Sequence, residues 1–142
     1  MTEKRRYTTT QTKARKAALD ILYQAELRGA SLSETISEQH SLAENEPRPL
    51  TKTILQGILE HGSDIDRRIS QSLDRSWTLE RMNNIDRNLA RIAVFEMDYT
   101  DTPDPAIISQ AVLLAGEYST DDSPAFLNGV LAKAMATKPN TN

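Results

Sequence analysis

The 142-residue chain contains no cysteine. This excludes a disulfide framework and a thiolate-held metal. The two histidines, His40 and His61, lie far apart in sequence. A zinc site would have to be built mostly from carboxylates, so neither a metal nor a cofactor is expected. Apolar runs last only a few residues, against the ~20 that a membrane-spanning helix needs. The basic start MTEKRRYTTT has no apolar stretch behind it, so it does not read as a signal peptide. A cytoplasmic protein with no membrane contact is the expectation. The chain also lacks a Ser-His-Asp order, a Gly-rich phosphate loop and any zinc-ligand spacing, and catalysis is not expected. No run sustains a period of two, so no strand is expected.

What is present is helical spacing. The stretch 83–99, NNIDRNLARIAVFEMDY, is the one around which the rest is organised. At 100° per residue, Ile85, Leu89, Ile92 and Ala93 share one face, and Ala90, Val94 and Met97 share a second. Phe95 and Tyr99 extend the apolar surface, leaving Arg87 and Arg91 as the polar strip. A helix apolar almost all round is central, touched from several sides. Asn83 is its candidate N-cap, with Asp86 three residues on. Glu96 falls within the apolar face, where a carboxylate is costly unless paired. A structural partner on a neighbouring element is favoured over an acid–base role.

Before it, Ala14, Ala17, Ala18, Ile21, Leu22 and Ala25 predict a helix from about Thr10, stopped at Gly29. Ser31 and Glu34 form a capping box for a short helix through about His40. The acidic, proline-bearing stretch 41–49 reads as a loop. Leu50, Ile54, Leu55, Ile58 and Leu59 give a third helix ending near Gly62, and Asp64 caps a fourth with Ile65, Ile69 and Leu73. Trp77 follows in a short connection, as part of the core or a lid on it. After the central helix, Asp104 and Pro105 start another helix, and Asp122 or Ser123 with Pro124 starts the last. The expected fold is all-α: six to seven helices in one domain, residues 10–136, between flexible tails at 1–9 and 137–142.

The net charge of −3 argues against a general nucleic-acid binder. Its distribution matters more. Ahead of Asp20 stand Lys4, Arg5, Arg6, Lys13, Arg15 and Lys16 against Glu3 alone. Tyr23 shares the stripe of Lys13, Lys16 and Asp20. Cations so placed could neutralise phosphates, giving affinity that falls steeply with salt, while Tyr23 stacks on an unpaired base. The plainer reading, that the lysines solvate a helix face, remains open at this point. Asp121 and Asp122 read as caps at a helix N-terminus, which also offers free N–H groups near Phe126, Asn128 and Gly129.

Four ordered blocks complete the reading: ARKAALDILYQAEL, ILQGILEHGSDIDRRI, WTLERMNNIDRNLARIAVFEM and PAIISQAVLLAGEYSTDDSPAFLNGVL. Together they resemble the NusB family of transcription antitermination factors, over roughly 13–134. The RIAVFE core helix followed by FLNGVL is the most specific pair. The resemblance implies two small helical bundles sharing the central helix, and no catalysis. It implies pairing with the ribosomal protein NusE, binding of the boxA element of nascent ribosomal RNA, and loading of an antitermination complex on RNA polymerase. Matched by motif, RNA contacts fall on Lys13, Arg15, Lys16 and Tyr23, and on Asp122 and Phe126 at the last helix. Arg5 and Arg6 join them as cations displaced upstream. The partner side falls on Asp86 and Glu80.

The chain departs from the family pattern in places. Gln11 and Thr12 stand where arginines often occur, Ser109-Gln110 replaces Asn-Glu, and Ala90 replaces a leucine. Two other readings stay open. One is a protein-interaction module or homodimer whose basic helix meets a protein, with monomer and dimer undecided. The other is the NusB-like domain that precedes a ribosomal RNA methyltransferase, although the chain carries no nucleotide-binding βαβ unit.

Overall fold

The computed structural model describes residues 9–139. Among them are six α-helices, one 3-10 turn and no strand. Helix α1 spans Thr10–Arg28, α2 Leu32–Leu42, α3 Pro49–Ser72, α4 Asn84–Tyr99, α5 Asp104–Tyr118 and α6 Ser123–Ala136, with the 3-10 turn at Leu79–Arg81.

Local chemistry sets most boundaries. Thr9 caps α1 by accepting from the Thr12 N–H at 3.1 Å. Gly29 ends it at φ 65°, a left-handed conformation that costs glycine little. Ser31 accepts from the Glu34 N–H at 3.0 Å and donates its hydroxyl to the Glu34 carboxylate at 2.9 Å. Asn83 accepts from the Asp86 N–H at 2.8 Å.

Two expected boundaries move. The third and fourth helices are one element, bent at His61 (φ −118°, ψ 17°) beside Gly62 and Ser63. Small residues permit the bend. The chain stays helical through it, and Asp64 pairs with Arg67 instead of capping a new helix. Helix α5 takes Pro103 as its N-cap. The Asp104 carboxylate, expected there, meets Lys138 at 3.2 Å.

Helix α4 packs against α1, α3, α5 and α6. It is the shared member of two small bundles: α1 and α2 with α3 on one side, α5 and α6 on the other. Leu89, Ala90, Ile92, Ala93, Val94, Phe95 and Met97 are all buried. Helices α3 and α4 meet closely because Gly57 has no side chain, and a Cβ there would overlap the Phe95 ring.

Polar groups within this core are paired. Arg68 of α3 holds Asp98 through Nε at 2.8 Å and Nη2 at 3.0 Å. Glu26 of α1 takes both Arg87 and Arg91 of α4, and Arg91 also reaches Asp66 at 2.9 Å. The polar strip read on the central helix is therefore a strip of ion pairs tying three helices together.

Candidate nucleic-acid interface

Helix α1 buries Thr12, Ala14, Arg15, Ala18, Leu19, Leu22 and Ala25. The buried stripe is rotated towards Leu19 relative to the expected one, and Ala17 and Ile21 are only half-buried. Lys13, Lys16, Asp20 and Tyr23 remain on the outer side. Lys13 is exposed, and Lys16 and Tyr23 are half-buried. The Lys16 ammonium meets both Asp20 carboxylate oxygens at 2.8 Å and sits 4.6 Å from the centre of the Tyr118 ring.

Arg15 departs from the expectation of an RNA contact. It points inward, 7% exposed, with Nε and Nη2 on the two Glu96 oxygens at 2.7 and 2.8 Å. The rotation of the stripe is the cause: Arg15 stands four residues before Leu19 and seven before Leu22, on the core side. Glu96 thus has the structural partner that its place on an apolar face required.

Asp86 departs in the same way from its expected place on a partner surface. It is 5% exposed and accepts hydroxyl hydrogen bonds from Ser119 at 2.7 Å and Ser123 at 2.9 Å. It fastens the start of α4 to the loop between α5 and α6. Glu80 lies exposed in the 3-10 turn. Lys4, Arg5 and Arg6 lie outside the described residues.

At the last helix the side chains divide their work. Ser123 accepts from the Thr120 N–H at 3.2 Å. Asp122 occupies the N-cap position but makes no side-chain cap hydrogen bond, and its side chain is exposed. One cleft of about 280 Å³ collects Trp77, Arg81, Met82, Asn83, Asp122 and Phe126. The Trp77 and Phe126 rings lie 5.1 Å apart, inclined at 47°. Arg81 stands over the indole at 5.4 Å.

Trp77 and Arg81 are the members that sequence reasoning missed. Trp77 was expected in the core or as a lid, and it is the lid on Phe126, 38% exposed. The remaining signal was Arg75 and Arg81 flanking a lone tryptophan; its neighbour Phe126 comes from a distant helix. The basic stripe and the cleft are joined through α5: Lys16 covers Tyr118, and Ser119 next to it binds Asp86 at the cleft floor.

Among the described residues no cluster of His, Cys, Asp or Glu could hold a metal ion. No described helix is long and apolar enough to cross a membrane.

The described residues form an all-helical fold of two small bundles sharing a central helix, and the sequence says to which family it belongs. The pattern of the NusB family matches residues 12–136, and the chain belongs to the NusB family. It is 41% identical over 131 residues to the transcription antitermination protein NusB of Cutibacterium acnes, which covers 92% of this chain and 50% of that protein. The chain thus spans half the length of that relative. It is similar to the structure of T. maritima NusB at 29% identity and a TM-score of 0.80, over 92% of this chain and 93% of that one. A chain in the crystal structure of antitermination factors NusB and NusE in complex with dsRNA shares the fold: the TM-score is 0.76 at 24% identity, over 92% and 97% of the two chains.

Proposed function

We propose that this protein is a non-enzymatic RNA-binding adaptor of transcription antitermination. In this reading it binds the boxA element of nascent ribosomal transcripts together with the ribosomal protein NusE, in the cytoplasm, and joins the antitermination complex on RNA polymerase. Family membership supports it, as does the fold shared with a chain in the crystal structure of NusB and NusE in complex with dsRNA.

The observation that carries the reading is the junction of two surfaces. Lys16 on Tyr118 brings the basic stripe of α1 next to the loop that ends in Asp122 and leads to Phe126. Lys13 and Lys16 attract phosphates without reading sequence. Tyr23 and Phe126 offer aromatic faces to unpaired bases, worth ~1–3 kcal/mol each. Asp122, unused in capping, offers an acceptor to a base edge. Glu80 is the exposed acidic position left for the protein partner, since Asp86 is buried.

The test is a titration of labelled boxA-containing RNA and a scrambled control, with and without NusE. The reading expects selective binding to the boxA RNA that tightens when NusE is present. Equal weak binding to both RNAs, unchanged by NusE, would remove it and favour a protein-interaction module.

A further inference from the structure

The geometry points to the Trp77–Phe126 corner as a seat for one unpaired base of single-stranded RNA, with Trp77 as a stacking surface and Arg81 as its cationic brace. This rests on the RNA-binding reading above, and it assigns to it two residues outside the basic helix.

Trp77 is the one tryptophan of the chain. Tryptophan offers a large apolar ring with a polar edge, and any part left open to solvent is free to take a second ring. This one stays 38% exposed while its partner Phe126 is half-buried. With centres 5.1 Å apart and planes inclined at 47°, the rings leave no room for a base between them. They form an open corner instead. A planar base laid on one ring would lie at the same inclination to the other, touching it obliquely while stacked on the first.

The cleft volume of about 280 Å³ is at or below the lower end of the ~300–1,000 Å³ of drug-sized sites. It suits one ring system. Buried Met82 lies beneath, and Asn83, Thr120 and Asp122 stand at the edge. The Asn83 amide is already committed to Asp86, both as acceptor from its N–H and as donor to its carboxylate. Asp122 has no such commitment.

The cleft lining holds one guanidinium, Arg81, and two carboxylates, of which Asp86 is taken up by the Ser119 and Ser123 hydroxyls. Arg81 donates to the Ser76 carbonyl and stands over the indole. Neither Arg81 nor Arg75 forms a salt bridge among the described residues. A guanidinium held by a carbonyl and a ring, with no carboxylate partner, is available to the phosphate that follows a docked base. Stacking plus a nearby cation is the usual means of holding single strands.

The experiment uses the whole protein and a labelled single-stranded boxA-containing RNA, with two readouts: RNA anisotropy and Trp77 emission. The expected result is quenching of the emission with the same midpoint as the anisotropy. Trp77→Ala should weaken binding by about five- to a hundredfold, as loss of one stacked base does, and Trp77→Phe should restore most of it. Arg81→Gln should reduce the salt slope by about 0.7, the share of one phosphate on a single strand. Far-UV dichroism and thermal midpoints check that the variants fold. If Trp77→Ala binds like the wild type and the emission is unchanged on binding, the seat is overturned while the RNA-binding reading stands. If Trp77→Phe is as weak as Trp77→Ala in a folded protein, stacking is overturned. If the wild type shows no anisotropy change either alone or with NusE added, both readings fall.

Discussion

The guanidinium of Arg15 lies along the carboxylate of Glu96, Nε to Oε2 at 2.7 Å and Nη2 to Oε1 at 2.8 Å. The two residues are 81 positions apart. Their side chains are 9% and 1% exposed. This paired fork joins the first helix to the central one through the core, where either charge alone would be costly.

Removing one partner should therefore hurt far more than removing both. Glu96→Leu is expected to lose about 3–5 kcal/mol of stability in urea denaturation, because the Arg15 charge stays buried unpaired. Arg15→Met combined with Glu96→Leu should recover most of that loss. A double variant as unstable as the single one would contradict the pairing argument.

Gly57 gives a second, purely steric prediction. In an exposed helix, Gly→Ala gains up to about 1 kcal/mol. Here the added methyl would overlap the Phe95 ring, so Gly57→Ala should destabilise by about 1–3 kcal/mol. Adding Phe95→Leu should return part of the loss. A more stable Gly57→Ala protein would show that α3 and α4 can separate freely.

The Glu26 cluster predicts a pH dependence. Burial pushes the Glu26 carboxyl up, but hydrogen bonds and charge from Arg87, and then from Arg91, outweigh this and hold it below the usual carboxylate value. A carboxyl depressed in the folded state adds stability above its unfolded pKa, about 4.3, and that contribution is lost as pH falls through the folded value. The thermal midpoint of Glu26→Gln should lie below wild type at neutral pH, and the gap should narrow in acid below about pH 4. A gap that is constant across this range would assign the effect of Glu26 to packing.

The legible parts of the fold were those written in short range. Gly29, the Ser31–Glu34 box and the Asn83–Asp86 cap each act within a few residues, and each sits where its sequence placed it. The Gly62 break appears as a bend at His61 because one small residue weakens a helix without ending it. The site was harder to read. Arg15 carries the same charge as Lys13 and Lys16, and charge alone grouped them. The periodicity that includes Leu19 puts Arg15 on the core side, yet only the fold could supply Glu96 as its partner. Asp86 could be read as a capping residue, but the hydroxyls of Ser119, just past α5, and Ser123, opening α6, that bind it are distant in sequence. Trp77 and Phe126 likewise meet only through the packing of α6 beside the 3-10 turn.

These corrections narrow the basic stripe read on α1 to Lys13 and Lys16, with Arg15 withdrawn. The most direct measurement is the salt dependence of RNA affinity for wild type and for Lys13→Ala with Lys16→Ala. Each lost phosphate contact on a single strand lowers the slope by about 0.7, so the double variant should bind more weakly at low salt, with a visibly shallower slope and unchanged helicity. An affinity and slope equal to wild type would contradict the claim that this face of α1 holds the RNA.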